Sequence, residues 1–314
     1  MNEVAAGLHC PQCGTKIAAA DRFCEECGRD LSVFRAVLPD ITVDSAGDRG
    51  AADLGTVQLI TDRGLVHAHN EDAVAAAVLG DPAGPTTVIA VSDGVSTSDD
   101  PQAASGAAVR GGVDACLASL AAGRAVGDAV LTGLEAAFEA VRGVSTHDGH
   151  SPSCTYVSAV VRPCETGEFE ITVTNVGDSR AYWLRLEGSG EGTPSHRLTV
   201  DDSFAQLLVA GGVDEQTAMR DPRAHALMRW LGADSDHQPA DTAVHTVRVW
   251  GPGALLLCSD GLWNYLPDPD GLAAVATTPD PGQAVRDLVE YALRSGGSDN
   301  ITAALVPLPG GGVP

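Results

Sequence analysis

The chain has 314 residues, enough for one large domain and a small appended module. With 19 basic and 42 acidic residues its formal net charge is -23, which repels nucleic-acid backbones and anionic membrane surfaces, so neither is expected as a partner. No apolar run reaches the length of a membrane span and the N-terminus lacks a secretory signal pattern, which predicts a cytoplasmic protein.

Two cysteine pairs lie within residues 1–30. Cys10 and Cys13 form the first CxxC, and Cys24 and Cys27 form the second. Two thiolates from each pair can complete a closed tetrahedral site for a structural Zn²⁺, and bound metal would supply the folding free energy of so short a segment. A redox CxxC pair is the alternative, but two matched pairs without a surrounding βαβ pattern favour zinc. The sequence therefore predicts a zinc ribbon at residues 1–30.

The next segments differ in periodicity. Residues 31–53 show no sustained period and are interpreted as a linker, and a large domain follows over residues 54–309, with 310–314 as a flexible tail. Strand-like runs in the large domain are TVQLI, TTVIAVS, TYVSAVV, EITVTNV, AYWLRL and ALLLCS. Helical spacing occurs over residues 128–141, 202–210 and 283–293. This mixture predicts an α+β domain with extensive antiparallel sheet, in which EITVTNV and AYWLRL form a hairpin across a short GDSR turn.

Carboxylates stand at the ends of two predicted strands. TVIAVSDGV ends in Asp93 and Gly94, and ALLLCSDGL ends in Asp260 and Gly261. A strand end holds a carboxylate rigidly, and the glycine lets another backbone or an ion approach closely. Each Asp-Gly taken alone is also a common turn signal. Because the pattern occurs twice, we hypothesise that Asp93 and Asp260 form a functional pair.

Further carboxylates occupy loop-like positions, namely Glu71, Asp72, Asp178 and Asp299. Oxygen ligands of this kind suit Mg²⁺ or Mn²⁺, and a pair of such ions can aim a water at phosphorus. Each residue could instead be a solvated turn acid or a helix cap, and spacing alone does not bring them together in space. The residue types are suited to a cluster that binds hard metal ions, but the sequence does not establish that they lie together.

Several motifs in a fixed order make the chain resemble the metal-dependent protein phosphatases of the PPM type, also called type 2C. The motifs are TDRGLVHAHNEDA, VIAVSDG, TVTNVGDSRAYWL, LTVDDS, DPRAHALMRWLG, LLLCSDGLW and SDNITAALV, over about residues 56–307. The resemblance implies two packed antiparallel sheets flanked by helices on both faces, an αββα sandwich. It also implies hydrolysis of phosphoserine and phosphothreonine by a water that bridges two divalent ions, with phosphorylated proteins such as Ser/Thr kinases or their substrates as partners.

The resemblance assigns ligands to the two ions, which would be Mn²⁺ or Mg²⁺. Asp93 would bridge both ions. Glu71 and the carbonyl group of Gly94 would serve one ion, and Asp260 with Asp299 would serve the other. The family fold thus predicts that residues far apart in the sequence converge on one metal centre.

Three further positions bear on the surroundings of that centre. Asp72 would hold metal-bound water, and Asp178 would help to hold a third, weaker ion. Asn264 stands where some relatives have an aspartate near that extra ion, and a neutral amide weakens the case for it. The third ion is therefore a secondary expectation.

Other positions depart from the family pattern. His67 replaces the usual arginine that clamps the phosphate, and histidine lacks the bidentate fork of arginine. Arg63 could reach in, or a protonated His67 could bind phosphate at lower pH. Many relatives also have a histidine after the Asp-Gly that is suspected of protonating the leaving group, whereas here Ser96 or Thr97 would have to orient a water. A catalytically weak phosphoprotein-binding or scaffold protein using the same cleft is the alternative function.

Overall fold

The computed structural model describes residues 15, 23–28, 33–38, 49–80, 84–144, 151–186, 193–235, 239, 242–276 and 280–310. The strands in these ranges are β1 (Val33–Leu38), β2 (Arg49–Asp53), β3 (Gln58–Asp62), β4 (Ala73–Leu79), β5 (Thr86–Ser92), β6 (Ser153–Cys154), β7 (Tyr156–Pro163), β8 (Phe169–Val176), β9 (Arg180–Arg185), β10 (His196–Arg197), β11 (Leu231–Gly232), β12 (His245–Val249), β13 (Gly253–Cys258) and β14 (Ile301–Leu308). The helices are α1 (Pro101–Ala121), α2 (Val126–Arg142), α3 (Phe204–Ala210), α4 (Glu215–Ala218), α5 (Asp260–Trp263), α6 (Pro269–Val275) and α7 (Pro281–Ser295).

Two antiparallel sheets form the body of the described chain. The first has the order β1-β4-β5-β7-β8-β12 and the second the order β10-β9-β13-β14-β3-β2. The short strands β6 and β11 pair separately. Helices α1 and α2 cover the outer face of the first sheet, and helices α5, α6 and α7 cover that of the second. The predicted αββα sandwich is confirmed.

Strand β4 shows how a sequence poor in large side chains builds two core layers. Its residues Ala73, Ala75 and Ala77 pack against the helices, whereas Val74, Ala76 and Val78 face the second sheet. Successive side chains of a strand point to opposite faces, so a continuous apolar run can serve both layers at once. The inter-sheet core and the outer core therefore meet along one strand.

Strands β1 and β2 lie within residues 31–53, which the sequence interpretation treated as a linker. β1 pairs with β4 from Val33 to Leu38, and β2 pairs with β3 from Arg49 to Asp53. Both are edge strands that leave one side partly open to solvent, so their side-chain pattern is mixed. These two segments belong to the sheets and are not a spacer, which corrects that interpretation.

The predicted hairpin of EITVTNV and AYWLRL is wrong. Strand β8 pairs with β7 and β12 in the first sheet, and strand β9 pairs with β10 and β13 in the second. A tight turn can close a hairpin or carry the chain between two packed sheets, and its local sequence is similar in both cases. The crossing has a consequence for the site, because it brings Asp178 to the edge of the inter-sheet space.

The predicted helices over 128–141 and 283–293 correspond to α2 and α7. The third predicted helix begins at Phe204, after Ser203 accepts a hydrogen bond from the backbone N–H of Gln206 at 3.3 Å as an N-cap. No helix among the described residues is long and apolar enough to cross a membrane.

Candidate metal centre

The ends of β5 and β13 hold Asp93 and Asp260 at one end of the sandwich. The glycine after each aspartate lies against another backbone segment. A Cβ atom on Gly94 would be 2.6 Å from the carbonyl oxygen of Pro101, and one on Gly261 would be 1.9 Å from that of Asn300. Only glycine permits such approaches, so both Asp-Gly pairs fix where the neighbouring loops sit.

Asn300 ties these loops together. Its side-chain N–H₂ donates to the carbonyl oxygens of Arg63 at 2.7 Å and His69 at 3.0 Å, and its Oδ1 accepts from the backbone N–H of Glu71 at 2.7 Å. The backbone N–H of Gly94 in turn donates to the carbonyl oxygen of Glu71 at 3.2 Å. The segments that carry Glu71, Asp93 and Asp299 are thus held against one another by hydrogen bonds.

Carboxylates from both sheets converge on one cavity of about 510 Å³. Asp93, Asp178, Asp260 and Asp299 line it. Asp72 is buried beside them, where its Oδ2 accepts a hydrogen bond from the Ser259 hydroxyl at 2.6 Å. Four sequence-distant aspartates of the predicted site therefore meet around a common space.

Burial raises the pKa of these carboxyl groups, and their neighbours add to the effect. The pKa of Asp72 is raised to about 7, first by burial and then by repulsion from Asp299 and Asp260. Burial and Asp299 raise the pKa of Asp260 to about 6. The pKa of Asp93 lies well above its usual value for the same reasons. Ionising all of them together needs a compensating positive charge.

Two buried carboxylate oxygens indicate where that positive charge is needed. Within the described residues, Oδ1 of Asp72 and Oδ1 of Asp260 are buried without a hydrogen-bond partner. A buried polar atom without a hydrogen-bond partner costs roughly several kcal/mol unless a water or an ion satisfies it. An all-oxygen carboxylate set with open lone pairs is the environment that Mg²⁺ and Mn²⁺ prefer. The residues present fit divalent cations.

His67 and Arg63, the two candidates for binding phosphate, point in different directions. Nε2 of His67 lies 3.2 Å from Oδ1 of Asp299. Nη1 of Arg63 donates instead to the carbonyl oxygen of His67 at 2.8 Å. The His67 ring therefore faces the carboxylates, while the Arg63 guanidinium group supports the loop that carries it.

Ser96 and Thr97, which follow Gly94, line the cavity. Ser96 donates to Oε2 of Glu71 at 2.5 Å. Asn264 donates to Oδ2 of Asp260 at 3.1 Å. The amide at position 264 thus holds one oxygen of Asp260 and leaves the other facing the cluster.

One residue near the cluster was absent from the sequence-derived candidates. His225 lines the same cavity, and its ring stacks on Trp263 with centroids 5.9 Å apart and planes 22° apart. His225 occurs in the motif DPRAHALMRWLG, but nothing in its spacing indicates that a loop residue reaches the aspartates. Only the tertiary path of the loop reveals it.

Half of the predicted zinc site lies in the described chain. Cys24 is buried and Cys27 is half-buried. The backbone N–H of Gly28 donates to the carbonyl oxygen of Cys24 at 2.8 Å, and Gly28 has a φ of 73°, as the second knuckle requires. Cys10 and Cys13 lie outside the described residues, so the four-cysteine site remains a prediction.

Comparisons with known proteins agree with these features. The zinc-ribbon domain family matches residues 9–31. The serine/threonine protein phosphatase PstP of Mycobacterium tuberculosis is 31% identical over 248 residues, which are 78% of this chain and 43% of PstP. The serine/threonine phosphatase stp of Listeria innocua is 29% identical over 252 residues, which are 78% of this chain and 93% of stp.

A solved structure extends the likeness to the fold. The PPM Ser-Thr phosphatase MsPP from Mycobacterium smegmatis, crystallised with cacodylate, is 29% identical with a TM-score of 0.63. The match covers 82% of this chain and all of MsPP, whereas this chain spans only 43% of the length of PstP. The αββα sandwich, the carboxylates at its strand ends and these relatives lead to one conclusion: the chain has the fold of the PPM phosphatases and is similar in sequence to serine/threonine protein phosphatases, with a zinc-ribbon segment near its N-terminus.

Proposed function

We propose that this chain hydrolyses phosphoserine and phosphothreonine in proteins, using two divalent cations, Mn²⁺ or Mg²⁺, in the carboxylate cleft. The observation that carries this function is the convergence of Asp72, Asp93, Asp260 and Asp299, two of which keep buried oxygens without a hydrogen-bond partner. A phosphate monoester is an anion, and a chain of net charge -23 needs bound cations to receive it. The cleft is where the structure supports such cations.

The residues divide into ligands for two ions. In this proposal Asp93 would be shared by both ions, Glu71 and the carbonyl group of Gly94 would hold one ion, and Asp260 and Asp299 would hold the other. When bound, such a pair of ions lowers the pKa of a water and neutralises the phosphoryl oxygens. The Asn300 hydrogen bonds described above keep the loops of Glu71 and Asp299 in fixed register, so little reorganisation is needed on binding.

Asp72 acts on the water in the cleft. Its Oδ2 is held by the Ser259 hydroxyl, which leaves Oδ1 free to accept a hydrogen bond or a proton from that water. The Ser96 hydroxyl orients Glu71, and Thr97 in the same cavity offers a donor to the phosphoryl group or to a water at the leaving oxygen. These residues position the reactants rather than form a bond to phosphorus.

His67 is the better supported of the two phosphate-binding candidates. Its ring faces Asp299, whereas the Arg63 guanidinium group is engaged with a backbone carbonyl. In this proposal His67 contributes one hydrogen bond to the phosphoryl group, and Arg63 holds the His67 loop in place.

The proposal extends to the N-terminal segment and to the cellular setting. Cys10, Cys13, Cys24 and Cys27 hold one structural Zn²⁺. The substrates are phosphorylated proteins, including Ser/Thr kinases or their targets, and the location is cytoplasmic. The named functions of PstP and stp support the substrate class.

A phosphopeptide assay with matched variants tests the function. We expect Mn²⁺-dependent release of phosphate from a phosphothreonine peptide, reduced about a thousandfold in kcat/KM by Asp93→Asn, which removes the bridging charge without changing the volume. The control is Asp270→Asn on the exposed surface of α6, which should leave the rate unchanged. Peptide binding without turnover in the wild-type chain would support the alternative of a phosphoprotein-binding protein and overturn the phosphatase.

A further inference from the structure

The cavity that holds the carboxylates also has a part of different chemistry. It is lined there by Ala226, Leu227 and Trp230 from the loop 219–230, which connects α4 to β11, and by Asp234 after β11. The cavity volume of about 510 Å³ lies within the range of about 300–1,000 Å³ that accommodates drug-sized ligands. The cavity therefore has room for a neighbouring side chain of a substrate in addition to the phosphoamino acid.

Loop 219–230 is anchored on two sides, which fixes the position of Trp230. The backbone N–H of Met228 donates to the carbonyl oxygen of Asp202 at 2.7 Å. Directly after Trp230, strand β11 pairs with β6, and Leu231 in β11 is fully buried. The indole of Trp230 is half-buried between these anchors, so its ring is already ordered before any ligand binds. Such pre-organisation lowers the entropic cost of binding.

The indole of Trp230 lies beside an exposed carboxylate. Its Nε1 donates to Oδ1 of Asp234 at 3.1 Å, and both side chains line the cavity. The neighbouring base, Arg229, is directed to another carboxylate, with its Nη1 3.7 Å from Oδ1 of Asp202. An aromatic ring and a negative charge are thus presented together to whatever enters this part of the cavity.

A basic side chain is the occupant that uses every feature of this surface. The aliphatic part of a lysine or arginine can pack against Leu227, while its charged end lies over the indole of Trp230 and within reach of Asp234. An acidic side chain would be repelled by Asp234 and by the net charge of -23. A purely apolar side chain would gain packing but would bring no charge to offset Asp234.

We propose that Leu227, Trp230 and Asp234 form a subsite for a basic side chain that lies close to the phosphoamino acid of the substrate. The subsite rests on the proposed function, because the phosphoryl group must be bound at the carboxylates of the same cavity. An extended peptide advances about 3.3 Å per residue, so the basic residue lies within about three positions of the phosphoamino acid. The cavity thereby selects phosphorylated segments that carry a nearby positive charge.

Kinetics with matched phosphopeptides on the full chain loaded with Mn²⁺ test the subsite. The peptides share one phosphothreonine sequence and differ at a single flanking position, which holds arginine, its neutral isostere citrulline, norleucine or glutamate. We expect KM for the arginine peptide to be about fivefold to tenfold below that for the citrulline peptide at the preferred position, and KM for the glutamate peptide to be the highest. Both KM values come from one protein sample, so their ratio does not depend on the fraction of active enzyme.

Variants of the subsite should reduce this ratio of KM values. Asp234→Asn keeps an oxygen that can accept from the indole N–H but removes the charge, and Trp230→Leu removes the ring. Each should bring the ratio to about threefold or less. Trp250→Leu is the matched control, because Trp250 is 53% exposed and precedes β13, whose other end leads to Asp260. This control should keep the wild-type ratio.

Three results would overturn the subsite. They are equal KM values for the arginine and citrulline peptides in the wild-type chain, a norleucine peptide as good as the arginine peptide, or an arginine preference that survives in both Asp234→Asn and Trp230→Leu. Binding of the same peptides, measured by fluorescence anisotropy, separates the subsite from the function on which it rests. Hydrolysis of all peptides without an arginine preference refutes only the subsite, whereas arginine-selective binding without hydrolysis refutes only the phosphatase.

Discussion

Two buried acidic regions lie close together in this molecule and differ in one respect. Asp201 and Arg180 have side chains only 5% and 4% exposed, and the guanidinium group meets both carboxylate oxygens of Asp201. Asp72 and Asp260 also have buried oxygens, yet each keeps one without a hydrogen-bond partner among the described residues. Burial of a carboxylate alone therefore does not distinguish the proposed metal centre from the ion pair, whereas a buried oxygen without a hydrogen-bond partner does.

The difference has a physical meaning for each region. A bidentate arginine satisfies a buried carboxylate permanently, so the Arg180–Asp201 pair stabilises the fold in every state of the protein. The cleft carboxylates are buried without such a partner, so we expect them to destabilise the fold when no cation is bound. Altering the charges in the two regions should consequently have opposite effects on the free energy of unfolding.

The largest expected effect on stability is in the paired region. Asp201→Asn leaves the Arg180 guanidinium group buried without its charged partner, so we expect the free energy of unfolding to fall by about 3–5 kcal/mol. Urea denaturation measures it. The double variant Arg180→Met with Asp201→Leu removes both charges and should lose less than the single variant. An equal or larger loss in the double variant would show that packing rather than charge dominates this pair.

In metal-free protein, the unpaired carboxylates of the cleft should make the free energy of unfolding depend on pH. Folding raises the pKa of Asp72 to about 7 and of Asp260 to about 6 from the ordinary value of 3.8. The folded state then binds more protons than the unfolded state between these values, so stability falls as pH rises from about 4 to 7, by at most about 1.4 kcal/mol per pH unit for each group. Urea denaturation in a chelator across this range measures the slope.

A matched variant sharpens that measurement. Asp72→Asn removes one of the titrating groups, so it should flatten the pH slope and raise the stability of metal-free protein at pH 8 by about 1–3 kcal/mol. Mn²⁺ should restore the stability of the wild-type chain at the same pH, because it binds the ionised carboxylates. A slope that Asp72→Asn leaves unchanged would mean that other groups govern the response to pH.

Local sequence patterns predicted some parts of the fold and of the candidate site and missed others. Asp93 and Asp260 were predicted as candidates because an apolar strand followed by Asp-Gly is a local pattern, and the structure places the glycines against backbone atoms in both cases. Helices α2 and α7 were found because their apolar residues recur at helical spacing. Helix α1 was not predicted, because the many alanines and glycines around Val109, Val113 and Leu117 leave little contrast between its buried and exposed faces.

What was missed depends on contacts between distant segments. The turn before Ser179 reads as a hairpin but crosses between sheets, since a local sequence does not state which sheet the next strand joins. His225 reaches the cleft because its loop bonds to Phe204 through Ala226 and to Asp202 through Met228. No residue spacing encodes such contacts. The part of the site that relies on them was therefore the part that the sequence left out.

The smallest expected effect concerns the two candidates for binding phosphate. His67 faces the carboxylates and Arg63 does not, so His67→Ala should raise KM for a phosphothreonine peptide by about tenfold, or about 1.4 kcal/mol. Arg63→Ala removes a hydrogen bond to a backbone carbonyl and should change KM by less than about threefold. His67→Arg supplies the fork that matches a phosphate, so it should lower KM below the wild-type value. A larger rise in KM for Arg63→Ala than for His67→Ala would reverse the assignment, because the guanidinium group would then have to leave its carbonyl partner to bind the substrate.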